Sequence, residues 1–547
     1  MKLNIILILL SIVMILHATS HKRVFINGKI YTVNPGQPYA EALVVVKNRI
    51  AFVGTNEQAE KYVDEETETI NLDGKLVLPG FIDAHAHFIK GGFSQQNINL
   101  RNVKSPSEFR QLIKDYVSIH QREWITGGNW DQEQWNIKEL PTRQLIDDIT
   151  NENPVFLERT DLHMGLANSL ALKMAGIDRN TPDPPGGLIV KDSHGEPTGI
   201  LKDNAITLLK RYIPEPDEAD IRKAAFTAMD YIKQFGITGI HDISENNDLP
   251  VYNQLDTLGL LTCRIYSIYP IISYNDLVNG DIHYGEGSEK LKRGALKAFA
   301  DGSLGSGTAW FFDPYINKGN YCGLPTDLVL NGQLDSLAIE ADKHKLQICI
   351  HAIGDKANKY VLDLYKKIHD NNPPWDRRDR IEHAQHLRKE DFKLFKNFSI
   401  IASVQPYHLM EDGVWAEKKI GKQRTKLMYA FKSLLDNGVK LCFGSDWTVA
   451  PINPLLGIYA AVTRRTIDGK NPDGWNPEQK ISVEDAIKCY TINNAYASYQ
   501  EKDLGSIEPG KFADFIVLSD DILTIEPEKI KEAKVIMTVF NGEIIYR

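Results

Sequence analysis

Cysteine is scarce in this sequence, and its spacing does not suggest metal or redox chemistry. The 547 residues contain five cysteines, and no two of them stand in the C-x-x-C arrangement of a zinc ribbon. A disulfide framework of the kind that staples small secreted domains is therefore not indicated. We expect most of the thiols to be core residues; they are Cys263, Cys322, Cys349, Cys442 and Cys489.

An excess of positive charge is also missing. The chain has 63 Lys and Arg against 72 Asp and Glu, a formal net charge of −9. Proteins that bind the nucleic-acid backbone usually carry a basic patch, so this balance argues against a nucleic-acid partner. The hydrophobic fraction of 42% and the charged fraction of 25% are those of an ordinary globular chain, which excludes wholesale disorder and a polytopic membrane protein.

Long hydrophobic runs are absent after the first twenty residues. The apolar run 5–16 has 12 residues, short of the roughly 20 that a helix needs to cross a membrane. Lys2 precedes this run, and the small residues Ala18 and Ser20 follow it, a pattern typical of a secretory signal peptide. We therefore predict a signal peptide over residues 1–20 and export to a periplasmic, secreted or secretory-pathway location, with an uncleaved signal anchor as the alternative.

Short alternating segments at both ends of the chain predict β-strands. Apolar and polar residues alternate in VFINGKIYTV and ALVVVKNRIAFVG near the N-terminus, and β-branched and aromatic residues dominate VIMTVFNGEIIYR at the C-terminus. We predict that residues 21–75 and 503–547 form one composite β-sandwich of short antiparallel strands.

Eight apolar, β-rich runs lie within residues 76–502, and helical stretches separate most of them. Strand and helix in alternation eight times predict an α/β fold, the (β/α)8 TIM-like barrel. The interval 88–235 is too long for one crossover, so we predict a large insertion there, after barrel strand 1, capping the barrel mouth. The runs are LVLPGFIDAHAH, GITGIHDI, CRIYSIYPI, ALKAFADG, LQICIHAIGD, RIEHAQ, IIASVQP and LCFGSDW.

Histidines and an aspartate stand where several of these runs end, and strand ends line the active-site mouth of such barrels. His85 and His87 are two positions apart, so their side chains point to the same side of a strand. Each residue alone could be a structural histidine or an aspartate that caps a helix. Together with His351, His383 and Asp446 they predict a site for zinc or a similar cation.

Lys297 ends the fourth run, and a lysine is unusual beside bound cations. Its amine can react with carbon dioxide to give a carbamate, which would bridge two cations about 3.5–4 Å apart. A lysine that binds phosphate or carboxylate, or that points away from the site, is the alternative. We predict carbamylated Lys297 and two divalent cations, with zinc as the default and manganese or iron as alternatives.

Other polar residues near strand ends or within the insertion are candidate substrate contacts. Helix caps, loop turns and structural His–Asp pairs explain such residues equally well. The candidates are Trp130, Asp131, His163, His241, Asp242, Asp301, Gln405 and His408.

Five motifs resemble, in order and spacing, those of the amidohydrolase superfamily, and specifically its amidohydrolase-3 group of N-substituted formamide deformylase-like enzymes. They are FIDAHAHF, ALKAFADGSLGSGTA, HAIGD, RIEHAQ and GSDWTVAPINPL. The resemblance covers nearly the whole chain after the predicted signal peptide. It implies that His85, His87 and Asp446 hold one cation and that His351 and His383 hold another, with carbamylated Lys297 bridging the two.

The resemblance also implies an enzyme, an amidohydrolase that cleaves carbon–nitrogen bonds of small-molecule amides by attack of metal-activated hydroxide. N-acyl or N-formyl amines and cyclic amides are the expected substrates, and Asp446 is the expected catalytic base that later protonates the leaving nitrogen. A mononuclear-metal deaminase is one alternative, and a non-catalytic small-molecule-binding barrel is another. The oligomeric state stays open, with a homodimer among the alternatives.

Overall fold

The computed structural model describes residues 22–132, 135–159, 164–184, 187–245 and 247–547. The predicted signal peptide, residues 1–20, lies outside the described residues. Within these ranges, every helix is too short or too polar to cross a membrane.

Seven short strands and one helix open the described chain. They are β1 (Lys22–Ile26), β2 (Lys29–Tyr31), β3 (Tyr39–Ala40), β4 (Ala42–Val46), β5 (Arg49–Gly54), α1 (Asn56–Glu60), β6 (Glu68–Asn71) and β7 (Leu76–Pro79). One sheet has the order β5-β4-β1-β6, in which β1 is antiparallel to β4 but parallel to β6. β2 is also parallel to β7. The prediction of purely antiparallel strands is wrong here, because the chain passes through other strands before it returns to its neighbour.

β8 (Phe81–Ala86) is the first barrel strand, and a separate compact unit of residues 89–228 follows it. This unit lies within the interval 88–235 that was predicted as an insertion. Its six strands form one sheet in the order β13-β14-β12-β11-β10-β9. The elements of this part of the chain are α2 (Phe88–Gln96), β9 (Ile98–Asn99), α3 (Pro106–Ile119), β10 (Gly127–Trp130), β11 (Phe156–Arg159), β12 (Met164–Ala167), α4 (Ser169–Met174), β13 (Gly187–Lys191), β14 (Pro197–Asp203), α5 (Asn204–Lys210) and α6 (Glu218–Ile232).

The remaining barrel strands coincide with the predicted runs, which confirms the (β/α)8 barrel. They are β15 (Ile237–Ile243), β16 (Arg264–Pro270), β18 (Leu291–Phe299), β19 (Gln347–Ala352), β20 (Arg380–His383), β21 (Ile401–Val404) and β22 (Leu441–Phe443), with the short β17 (Glu286–Gly287) paired to β18. Neighbours in the order β8-β15-β16-β18-β19-β20-β21-β22 are all parallel. A parallel bridge between Ala86 and Trp447 links the first strand to the segment after the last.

Helices follow most of these strands. They are α7 (Asp248–Thr257), α8 (Tyr274–Asn279), α9 (Asp327–Leu330), α10 (Gln333–Lys343), α11 (Asp355–Asn371), α12 (Phe392–Asn397), α13 (His408–Asp412), α14 (Ala416–Ile420), α15 (Phe431–Asp436), α16 (Pro454–Thr463), α17 (Val483–Cys489) and α18 (Ile492–Ala497). The five cysteines are free thiols, and all but Cys322 are buried, as expected.

Three C-terminal strands complete a sheet with the N-terminal ones. β23 (Phe515–Leu518), β24 (Val535–Phe540) and β25 (Glu543–Tyr546) continue the order β25-β24-β23-β7-β2-β3. β23 is antiparallel to β7, which runs almost directly into the first barrel strand. Apolar side chains from both termini, among them Phe25, Leu43, Phe515 and Val539, share one buried core. This core includes Val77 of β7 and therefore fixes the segment that leads into β8.

Candidate metal centre

Two histidines at the end of β8 lie against one carboxylate that follows β22. Nε2 of His87 lies 3.3 Å from Oδ1 of Asp446, and Nε2 of His85 lies 3.6 Å from the same oxygen. The backbone N–H of Asp446 donates to the carbonyl of His85 at 2.7 Å, which brings the carboxylate to the histidines. These three side chains therefore meet where the first and last strands of the barrel come together.

A glycine and a buried aspartate make this close approach possible. A Cβ at Gly444 would lie 2.6 Å from the backbone nitrogen of His85, so a larger residue has no room there. The carboxylate of Asp83 accepts backbone N–H groups from His85 at 2.9 Å and from Ser445 at 3.1 Å. Asp83 thus fixes the ends of the first and last strands to one another, and its burial raises its pKa to about 7.

Glu382, on β20, orients His85 through a hydrogen bond. Nδ1 of His85 donates to Oε2 of Glu382 at 2.5 Å, and both side chains are buried. This bond places the proton on Nδ1 and leaves the lone pair of Nε2 facing Asp446. Nε of Arg380 lies 2.8 Å from Oε1 of Glu382. Burial opposes ionisation of Glu382, but the charge of Arg380 and the interactions with His85 together outweigh it and hold the pKa of the carboxyl well below its usual range.

Three further predicted ligands lie on β18, β19 and β20. The imidazole rings of His351 and His383 are 4.4 Å apart between centroids, and the ring of His383 is 5.1 Å from that of His85. Lys297 is 3% exposed, and its Nζ lies 4.6 Å from the centre of the Phe299 ring. Burial lowers the pKa of Lys297. The six predicted ligands thus come from five different strand ends of the barrel.

Two groups of three potential ligands can be drawn among the described residues. The first is His85, His87 and Asp446; the second is His383, His408 and Asp446, and in each group the ligand atoms lie within 4.8 Å of one another. Asp446 belongs to both. His408 follows β21, and it was predicted only as a substrate contact.

Several predicted substrate contacts have structural partners within the protein. The carboxylate of Asp301 accepts backbone N–H groups of Trp310, Ile353 and Gly354 at 2.8–3.0 Å, and it therefore holds two loops together. It also lies 3.5 Å from Nε2 of His351.

Asp242 has the same kind of role at the end of β15. Its carboxylate accepts the backbone N–H of Phe88 at 2.8 Å and the hydroxyls of Ser244 and Tyr252 at 2.6 and 2.8 Å. The first of these bonds fixes the backbone immediately after His87. Asp242 therefore fixes the backbone next to His87, one of the predicted ligands.

His241, in β15, and Gln405, directly after β21, are both buried. Nη1 of Arg380 donates to Nδ1 of His241 at 2.9 Å, so this histidine belongs to the network behind Glu382. Gln405 is buried at the end of β21, and its Oε1 has no hydrogen-bond partner among the described residues.

The candidates in the inserted unit differ from one another. Trp130 is buried in the core of that unit, and its indole N–H donates to the carbonyl of Leu157 at 2.7 Å. Asp131 pairs with Arg159 at 2.6 Å. Both residues therefore have partners within the inserted unit, and His163 lies outside the described residues.

The protonation of the site suits a divalent cation. Burial lowers the pKa of His85 to about 4 and that of His351 to about 3, so both imidazoles are neutral and keep a lone pair at neutral pH. Burial would raise the pKa of Asp446, but the bond to His87 and the neighbouring imidazoles outweigh it and keep the carboxyl ionised. Neutral imidazoles and a carboxylate are the usual protein ligands of zinc and of metals close to it.

A parallel barrel whose strand ends present such ligands defines a class, the metal-dependent barrel hydrolases. The amidohydrolase family model matches residues 68–546. The chain belongs to the amidohydrolase family, and it is a metal-dependent hydrolase.

Individual proteins are similar over nearly the whole length. The chain is 40% identical to the protein LONG AFTER FAR-RED 3 of Arabidopsis thaliana, over 95% of this chain and 91% of that protein. It is 28% identical to the N-substituted formamide deformylase of Arthrobacter pascens, over 95% and 97%. The crystal structure of an uncharacterized metal-dependent hydrolase from Pyrococcus horikoshii superposes with a TM-score of 0.78 at 28% identity, covering 93% of this chain and 99% of that one.

Two residues behind the site, Arg380 and Glu382, were not predicted as site residues from the sequence. The signal was present in RIEH, where two charged residues stand two apart inside a strand that is otherwise expected to be buried. Charged residues that alternate along a buried strand need partners, so this pattern could have marked a polar network within the barrel.

Proposed function

We propose that this hydrolase cleaves the carbon–nitrogen bond of a small-molecule amide, an N-formyl or N-acyl amine, with two divalent cations at the mouth of its barrel. Zinc is the default cation, and manganese or iron are the alternatives. The observation that carries the proposal is the position of Asp446, whose carboxylate lies within 4.8 Å of the potential ligand atoms of two different pairs of histidines. The similarity to a formamide deformylase supports the substrate class.

The predicted ligands described above can hold both cations. We assign His85, His87 and Asp446 to the first cation and His351 and His383 to the second; a carbamate on Lys297 would supply a further anionic ligand. Cations bound there would lower the pKa of a water molecule from 15.7 to about 7 and polarise the substrate carbonyl.

Asp446 is the residue we assign to proton transfer. Its carboxylate is ionised and buried, so one oxygen can accept a proton from the attacking water and later give it to the leaving nitrogen. Glu382 keeps His85 in one tautomer, and Asp83 holds the Asp446 segment against β8. These bonds fix the geometry before the substrate binds, which is how a preorganised site accelerates a reaction.

The burial of Lys297 supports its carbamylation. Because burial lowers the pKa of Lys297, more of the amine is in the neutral, nucleophilic form that attacks carbon dioxide. The carbamate replaces a buried positive charge with a negative one that two cations can share. Mass spectrometry of the intact protein at neutral pH tests this, since the modified chain carries the added mass of carbon dioxide and a Lys297→Met variant does not.

A substrate panel tests the activity itself. Purified protein is assayed with N-formyl amines, N-acyl amines, cyclic amides and aminated heterocycles, before and after removal of metal. We expect release of the amine from the amides and loss of that activity in chelator-treated protein. Release of ammonia from the heterocycles alone would point to a deaminase and contradict the proposal.

A further inference from the structure

His408 stands at the first position of α13, directly after the seventh barrel strand and its short connecting turn. One of its ring nitrogens lies within 4.8 Å of the ligand atoms of His383 and Asp446. Its Nε2 is buried and has no hydrogen-bond partner among the described residues. A buried imidazole nitrogen of this kind is costly unless something binds it.

The short helix that carries His408 is fixed to the segment that carries His383. Asp412, one helical turn after His408, accepts Nε2–H of Gln385 at 2.8 Å and the hydroxyl of Tyr429 at 2.7 Å. The backbone N–H of Tyr429 also donates to the carbonyl of Gln385 at 3.0 Å. The half-buried carboxylate of Asp412, which belongs to neither ligand group, therefore holds the segments of the two histidines in a defined relation.

We propose that His408 is a protein ligand of the second cation, together with His383 and the shared carboxylate of Asp446. The proposal rests on the binuclear centre assigned above, and it adds to that centre a ligand from the seventh strand end. With His351, already assigned to the second cation, this makes four protein ligands, none of which depends on whether Lys297 carries a carbamate.

The two possible roles of His408, metal ligand and substrate contact, predict different effects when the imidazole is removed. If Nε2 of His408 binds the cation, its removal weakens metal binding in the absence of any substrate. If the imidazole only touches substrate, its removal raises KM and leaves the metal content unchanged. Metal binding by the free protein therefore separates the two roles.

The experiment titrates metal-free wild-type protein and variants with Co²⁺ and follows the visible absorption of the bound ion, with metal analysis after dialysis as a second readout. The test variant is His408→Ala. The matched control is His386→Ala, because the Nε2 of His386, like that of His408, is buried without a hydrogen-bond partner among the described residues, yet His386 belongs to neither ligand group. Circular dichroism confirms that each variant is folded.

We expect wild type and His386→Ala to bind two ions, and His408→Ala to bind the second ion at least about tenfold more weakly. We also expect His408→Cys, which restores a ligand, to recover much of the lost affinity and to alter the spectrum. Two ions bound by His408→Ala with unchanged affinity would overturn this inference alone. Fewer than two ions bound by wild type would overturn the binuclear centre as well.

Discussion

At the scale of single residues, Asp446 is the side chain on which the proposed chemistry depends. Replacing it with asparagine keeps the shape but removes the proton acceptor, so we expect Asp446→Asn to lower kcat by at least about 10²- to 10⁴-fold while the fold is retained. Steady-state assays on the substrate panel and circular dichroism measure both. Asp363→Asn, on the exposed side of α11, is the control and should behave as wild type.

Glu382 makes a second prediction at this scale. Because its carboxylate orients His85, Glu382→Gln should weaken binding of the first cation by roughly 10- to 100-fold, as loss of such supporting groups does elsewhere. Competition against a chromophoric chelator measures the affinity. Glu390→Gln, at an exposed glutamate, is the control. Equal affinity in Glu382→Gln and wild type would show that the carboxylate has no such role.

Strand alternation correctly predicts the relative positions of some site residues but not of others. It places His85 and His87 on one side of β8, as the structure shows. It also places Glu382 and His383 on opposite sides of β20, although both belong to the site. Positive φ angles of 71° at His383 and 58° at Asp446 turn the chain out of the strand pattern at these positions. Left-handed conformations of non-glycine residues cannot be predicted from periodicity, so strand alternation alone could not bring Glu382 and His383 into one site.

At the scale of elements, buried polar contacts join the barrel to the terminal strands. Arg264, the first residue of β16, pairs with Asp514, just before β23, at 2.7 Å, and both side chains are buried. The Arg264 guanidinium also lies 3.8 Å from the centre of the Phe512 ring. These contacts bind residues that are 250 positions apart in the chain.

Loss of this pair should destabilise the protein strongly. Asp514→Ala leaves a buried guanidinium without its partner, which typically costs about 3–5 kcal/mol of unfolding free energy. Glu68→Ala breaks an ion pair with Arg23 whose glutamate is exposed, and it should cost less than about 1 kcal/mol. Thermal and urea unfolding of the two variants and wild type measure the difference. A small effect of Asp514→Ala would mean that the pair does not hold the two elements together.

The eight barrel strands could be predicted from apolar runs and the helices between them, because each run is long enough to be recognised by itself. The directions of the terminal strands could not. β1 and β6 are parallel because strands of another sheet intervene, and short segments carry no signal for such a return. Where the chain alternates between two sheets, closeness in the sequence is a weaker predictor of which strands pair and in which direction.

At the scale of the whole molecule, metal binding should be linked to stability. A cation that binds the folded chain and not the unfolded one stabilises it, by about 2.7 kcal/mol at a free concentration one hundred times its Kd. We therefore expect chelator-treated protein to unfold at a lower temperature and added Zn²⁺ to restore the midpoint. Differential scanning calorimetry measures this, and Asp446→Asn should show a reduced response.

The metal content of protein purified without chelators is the decisive measurement for the proposed binuclear centre. Inductively coupled plasma mass spectrometry on the wild-type chain gives the number and identity of bound ions. We expect two divalent cations per chain, and amide hydrolysis that is lost when they are removed and returns when they are restored. A protein that is free of cations, and that gains neither bound metal nor activity from added zinc or manganese, would contradict the proposed centre.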